Sequence, residues 1–235
     1  MSEQRFWAVI PAAGAGRRMG SDRPKQYLNL SGRQIIEHTL DIFCRHPRID
    51  GLVVALSPED EYWASVQIEA DKPIYRAEGG SERCQSVLNA LHFLAEKTSD
   101  SDWVLVHDAA RPCLTHGDLD RLIEEAASSE DGGLLAMPCR DTMKLADREQ
   151  RVSKTVDRSS LWHALTPQMF PLGVLISALE RARDEGAAVT DDAMAMERLG
   201  YHPRLVVGSA ENIKVTRPED LELAATILER RKEKP

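Results

Sequence analysis

Short apolar runs rich in β-branched residues recur along this chain, and amphipathic stretches of helical length separate them. Residues 6–11, 52–57, 103–107, 134–138 and 205–207 read as strands. Residues 34–44, 59–68, 82–96, 117–127, 172–185, 191–199 and 218–230 read as helices. Parallel strands need long crossovers, so this alternation predicts an α/β fold: a Rossmann-like, mostly parallel sheet flanked by helices. Start signals support the helices. Ser81 with Glu82, and Thr190 with Asp191 and Asp192, put capping oxygens and negative charge beside free amides. Pro218-Glu219-Asp220 places proline in a first turn. The length of 235 residues suits a single domain.

One stretch breaks the alternation. Residues 140–158 are polar throughout, and Met143/Leu145 and Val152/Thr155/Val156 flank an Asp147–Gln150 turn. The pattern predicts a projecting β-hairpin arm over about 139–160. Two isolated strands are marginal in water, so the arm is expected to pack on a second copy, making a homodimer.

Composition narrows the function classes. With 38 acidic against 30 basic residues the net charge is -8, which disfavours a nucleic-acid binder. No apolar run approaches the roughly 20 residues of a membrane helix. The first seven residues lack a signal-peptide pattern, and Cys44, Cys84, Cys113 and Cys139 form no CxxC pair, so a reducing cytoplasm is expected.

Against that acidic background, Gly14 and Gly16 follow the first strand and Arg17, Arg18, Arg23 and Lys25 follow the glycines. The dinucleotide fingerprint GxGxxG needs glycine at position 19, which is Met19. The P-loop spacing also lands on Met19, and Gly20 precedes Ser21-Asp22 rather than Lys-Ser/Thr. What remains is a loop that admits close backbone approach, flanked by cations, and it reads as a polyphosphate cradle. Pro24 restricts Arg23 to extended geometry and fixes the chain before Lys25.

These residues carry a resemblance. Pro11-Ala-Ala-Gly-Ala-Gly-Arg-Arg-Met19 with Pro24-Lys25-Gln-Tyr27 resembles the signature of nucleotidyltransferases acting on phosphorylated acceptors. Asp108-Ala-Ala-Arg-Pro112, Arg140-Asp-Thr-Met-Lys144, Thr155-Val-Asp-Arg158, Leu161-Trp-His-Ala-Leu-Thr-Pro-Gln168 and Asn212-Ile-Lys-Val-Thr-Arg-Pro218 follow in order. Together they are similar to the 2-C-methyl-D-erythritol 4-phosphate cytidylyltransferase family of the non-mevalonate isoprenoid pathway, from about Phe6 to Leu228.

The resemblance implies transfer of CMP from CTP to methylerythritol phosphate, with Arg18 and Lys25 stabilising charge on the reacting phosphates. Arg17 falls outside the family's Gly-x-Gly-x-Arg-Met pattern. Pro11, Ala12, Ala13, Gly14, Gly16 and Ala109 would surround the nucleotide, while Gly80, Ser81, Arg83 and Ser86 read its base and ribose. Arg111 and Thr166 would contact the acceptor, and Lys214, expected on an alternating strand over 212–216, would orient it. Thr142 and Arg158 would reach from the arm into the neighbouring subunit's site. The best central strand delivers Asp108 to its carboxyl end, where ligands bind in such sheets, so Asp108 is the expected Mg²⁺ ligand, with Glu211 second. His107, Trp162 and Met169 read as core residues.

Three alternatives stand beside this reading: a cytidylyltransferase for another polyol phosphate such as ribitol 5-phosphate, a dinucleotide-dependent oxidoreductase, and a non-catalytic nucleotide-binding module. Met19 and the absence of an acidic residue in Leu56-Ser-Pro58 disfavour the oxidoreductase.

Overall fold

A computed structural model describes residues 4–14 and 23–232. Its strands are β1 (Phe6–Pro11), β2 (Asn29–Leu30), β3 (Arg33–Gln34), β4 (Gly51–Leu56), β5 (Ile74–Glu78), β6 (Trp103–Val106), β7 (Gly133–Pro138), β8 (Met143–Ala146), β9 (Val152–Val156), β10 (Trp162–Pro171) and β11 (Arg204–Val207). Its helices are α1 (Ile35–Arg45), α2 (Arg83–Ala95), α3 (His116–Ala126), α4 (Leu172–Asp184), α5 (Asp192–Arg198) and α6 (Pro218–Lys232). Seven strands form one sheet in the order β11-β7-β10-β6-β1-β4-β5. Only β10 runs antiparallel to its neighbours in that sheet.

The alternation of side chains along a strand divides the core into two layers. Ala8, Ile10, Leu52, Val54 and Leu105 face α1 and α3, meeting Leu40, Phe43, Leu119 and Leu122. Trp7, Val9, Val53, Val104 and Val106 face the other way, against Leu88 and Leu91 of α2 and Leu175 and Met196 of α4 and α5. Both faces are covered, so the central strands read as continuous apolar runs. Helix α6 closes a smaller cluster with Leu30, Ile35, Ala110, Cys113 and Val215.

Several expectations fail for local reasons. The helix expected over 59–68 is a single turn, Trp63–Ser65. Asp60 accepts hydrogen bonds from the Tyr62 and Trp63 amides, and Glu37 takes the Gln67 amide, so side chains replace the helical ladder. Strand β5 was not expected, being a half-exposed edge with Arg76 and Glu78 in it. Strand β10 contains Pro167 and Pro171, and a register shift between Ala164 and Gln168 absorbs the first proline. Residues 212–216 form no strand. Trp162 is only half-buried, whereas Met169 is fully buried. The expected arm exists as the separate β8–β9 ladder, with Leu145 and Val152 exposed. Among the described residues, no helix is long and apolar enough to cross a membrane.

His107 follows β6 and is fully buried. Its Nε2 lies 3.1 Å from the Arg111 carbonyl, which can only accept, so Nε2 carries the proton. Nδ1 therefore accepts from the Thr166 hydroxyl at 2.9 Å. Burial outweighs these contacts and pushes His107 down to about 4. Burial also lowers His38 and His46. In the window between pH about 4 and 6.5, the unfolded chain binds protons that the folded chain refuses. Stability is therefore expected to fall as pH drops from 7.5 to 5, with His107 tending towards a total of about 3 kcal/mol by pH 4. Urea midpoints measured across that range test this, and a flat profile contradicts it.

Candidate active site

The carboxyl ends of β1 and β6 and the loop after β5 open onto a cleft of about 450 Å³. The turn after β1 is tied down from both sides. The Ala12 amide donates to the Ala55 carbonyl at 2.8 Å. Gln26 is buried, and its amide nitrogen donates to the Ala12 carbonyl at 2.7 Å and the Gly14 carbonyl at 3.3 Å. After β5, the Gly79 amide donates to the Leu56 carbonyl at 2.7 Å. A Cβ on Gly79 would stand 2.3 Å from the Ala13 Cβ, so glycine there lets the two loops touch. The next turn is held by Ser86, whose hydroxyl accepts from the Gly80 amide at 3.0 Å and donates to the Glu82 carbonyl at 3.0 Å.

Pro11, Ala12, Ala13, Gly14, Lys25, Gly80, Ser81, Arg83, Ser86, Asp108, Ala109 and Lys214 all line this cleft. Gln26, Glu82, Ala110 and Thr216 line it too, and sequence reasoning missed them. Gly16 and Arg18 lie outside the described residues. Arg23, described just beyond that gap, stacks its guanidinium over the Tyr62 ring at 5.1 Å. The Lys25 ammonium donates to the Val215 carbonyl at 2.9 Å.

Asp108 is the electrostatic centre. Its buried carboxylate lies 3.4 Å from Arg83 Nε, 3.2 Å from Arg111 Nε and 3.0 Å from Lys214 Nζ. Burial acts to raise its pKa, but the charges of Arg83, Lys214 and Arg111 outweigh it and hold the carboxyl well below the usual range. Arg83 is itself fixed by a bidentate pair with Asp192, at 3.2 and 2.8 Å. Burial alone would lower the Arg83 pKa, and Asp192 and Asp108 reverse the direction. Asp191 caps α5 by accepting from the Met194 amide at 3.0 Å, which places Asp192 at the helix start. Three cations thus face two carboxylates, and Lys25 and Glu82, which also line the cleft, offset each other and leave the balance positive.

Other expected residues stand elsewhere. Arg111 is buried beneath the cleft, with its guanidinium divided between Asp108 and the Asn212 carbonyl at 2.7 Å. Its short spacing from Asp108 in sequence is what builds this internal pair. The Thr166 hydroxyl, expected on the acceptor, donates to His107 and accepts from the Asp108 amide at 3.2 Å. Thr142 and Arg158 are exposed on the arm, where Arg158 donates to the Arg140 carbonyl. Lys214 lies on an irregular segment, not a strand. That segment is fastened by the Val215 amide to the Ala110 carbonyl at 2.9 Å and by Asn212 Nδ2 to the Thr166 carbonyl at 2.7 Å. Glu211 stands outside the cleft, paired with Arg230 and Arg231. Among the described residues no three His, Cys, Asp or Glu side chains gather as a metal site.

A sequence profile of the 2-C-methyl-D-erythritol 4-phosphate cytidylyltransferase family matches residues 6–230. The chain is 58% identical to the enzyme of that name from Pseudomonas aeruginosa, over 92% of this chain and 93% of the relative. It is 59% identical to that from Pseudomonas fluorescens, over 94% and 96%. It superposes on a crystal structure of 4-diphosphocytidyl-2C-methyl-D-erythritol synthase with a TM-score of 0.84 at 40% identity, covering 96% of this chain and 99% of the other. For the Francisella tularensis 2-C-methyl-D-erythritol 4-phosphate cytidylyltransferase the TM-score is 0.83 at 38% identity, with 95% and 100% covered. The sheet with its single reversed strand, the cationic cleft and these matches along nearly the whole chain agree, and the chain belongs to the 2-C-methyl-D-erythritol 4-phosphate cytidylyltransferase family.

Proposed function

We propose that this enzyme transfers the cytidylyl group of CTP to the phosphate of 2-C-methyl-D-erythritol 4-phosphate, releasing pyrophosphate. The observation that carries the reading is the cationic cluster around Asp108 at the mouth of the glycine-rich turn. An oxygen of the acceptor phosphate attacks the α-phosphorus of CTP. A new P–O bond forms as the bond to the bridging oxygen of pyrophosphate breaks. A phosphate monoester is already largely dianionic near neutral pH, with a second pKa of about 6, so no general base is needed. Positioning and charge stabilisation then carry the rate.

Lys25, with Arg18 seven residues before it in sequence, neutralises charge on the breaking triphosphate. The Ala12–Ala13 turn and the Gly80–Ser81 loop read the cytosine edge through backbone groups, where the Gly79–Ala13 contact keeps the slot narrow. Lys214 turns its ammonium from Asp108 to the incoming acceptor phosphate. Asp108 fits a divalent cation as a single carboxylate ligand, because it is ionised and lines the cleft where triphosphate oxygens would arrive. Bound there, Mg²⁺ supplies counter-charge and orients the triphosphate.

The exposed Leu145 and Val152 support docking of the arm on a second copy, which would carry Thr142 and Arg158 to the neighbour's acceptor site. The four free thiols fit a reducing cytoplasm.

The test of the activity is pyrophosphate release from CTP, UTP or ATP crossed with methylerythritol phosphate or ribitol phosphate, with and without Mg²⁺. Turnover is expected only for CTP with methylerythritol phosphate and metal, and release without an acceptor would refute the reading. Gly79→Ala should raise the KM for CTP by roughly tenfold, the size of a moderate overpacking cost, and an unchanged KM would remove the narrow-slot argument. Mixing inactive Arg18→Ala and Arg158→Ala chains should recover part of the activity, since one site of each mixed dimer keeps both residues. Verified mixed dimers without recovery would separate the arm from catalysis.

A further inference from the structure

Glu211 lies three residues before Lys214, and its carboxylate turns away from the cleft to the end of α6. Arg230 pairs with one of its oxygens. Arg231 meets the other with two nitrogens, at 3.3 and 3.0 Å. The same Arg231 guanidinium also donates to the Cys113 carbonyl at 2.9 Å, on the loop that follows Asp108 and Arg111. One side chain therefore joins the two segments that carry Asp108 and Lys214. Glu211 does not line the cleft where triphosphate oxygens would arrive, whereas Asp108 does, and a cation held at the α6 end would share no phosphate ligand, which does not suit Glu211 as the metal ligand of this site.

The 211–216 segment has no strand neighbours to fix it. Glu211 anchors its start, Asn212 its middle through Thr166 and Arg111, and Val215 its end through Ala110 and Lys25. An aspartate at position 211 would be one methylene shorter and would lose reach to the helix end.

We infer that Glu211 and Arg231 form a positioning staple that sets Lys214 for the acceptor phosphate, and that Glu211 is not a metal ligand. The inference rests on the cytidylyl-transfer reading and deepens it. Neither residue touches substrate; both act through the Lys214 segment.

The experiment first establishes acceptor-dependent pyrophosphate release by the wild-type enzyme, whose absence would refute the proposed function itself. Glu211→Gln and Arg231→Lys are then compared with wild type in steady-state kinetics, and Mn²⁺ binding to each CTP complex is measured by calorimetry. Arg231→Lys keeps the charge and removes only the fork, so it remains informative if the glutamine variant folds poorly. The expected result is an acceptor KM raised roughly 10- to 100-fold, the effect of misplacing a reacting group by about 1 Å, with CTP KM and Mn²⁺ affinity within about twofold of wild type. A tenfold loss of Mn²⁺ affinity in Glu211→Gln with an unchanged acceptor KM would make Glu211 a metal ligand and overturn the inference. Unchanged kinetics in both variants would overturn it as well.

Discussion

The site is organised by one buried carboxylate and the cations that neutralise it. Asp108 comes from the end of β6, Arg83 from the start of α2, Arg111 from the following loop and Lys214 from the segment before α6. No pair of these is joined by the main sheet's hydrogen-bond ladder, so electrostatics does the work that backbone pairing does elsewhere. A buried ion cluster is demanding in this respect, because removing one partner leaves an uncompensated charge and costs about 3–5 kcal/mol. The cluster therefore brings three segments to one place, Asp108 and Arg111 sharing one turn, and it also concentrates positive charge in an acidic protein whose net charge is -8. A polyphosphate therefore meets a local positive balance in the cleft of a protein whose overall charge is negative.

The fold was legible in the sequence where burial is uniform. Strands β1, β4 and β6 have both faces covered, so their apolar runs stand out without any knowledge of neighbours. Strand β5 was hidden because an edge strand with Arg76 and Glu78 lacks that signal. Strand β10 was hidden by its prolines, which are tolerated because the ladder to β7 shifts register around Pro167. The helix expected over 59–68 has the right period but loses its amides to Asp60 and Glu37, partners that periodicity cannot reveal.

The cleft lining was legible for a different reason. Close backbone approach demands particular residues at particular places, so the glycines and alanines after β1 and β5 carry their geometry in their identity. Residues that act on other protein groups carry no such mark. Gln26, which ties down the Ala12 and Gly14 carbonyls, looks like any polar residue near a turn. Arg111 and Thr166 were expected to face a ligand, yet their polar atoms serve Asp108, His107 and Asn212. Motif spacing identifies that a residue matters without distinguishing whether it holds a substrate or holds its neighbour.

The reversed direction of β10 has a mechanical consequence. The strand begins beside the arm, at Trp162, and within five residues reaches Thr166, whose hydroxyl sits under the Asp108 amide. Arm root and site floor are thus four residues apart on one strand, and Thr166 lies in the stretch between Ala164 and Gln168 where the ladder to β7 shifts register. Any displacement of the hairpin root therefore has only the backbone from Trp162 to Thr166 in which to be absorbed before it reaches the residues beneath Asp108.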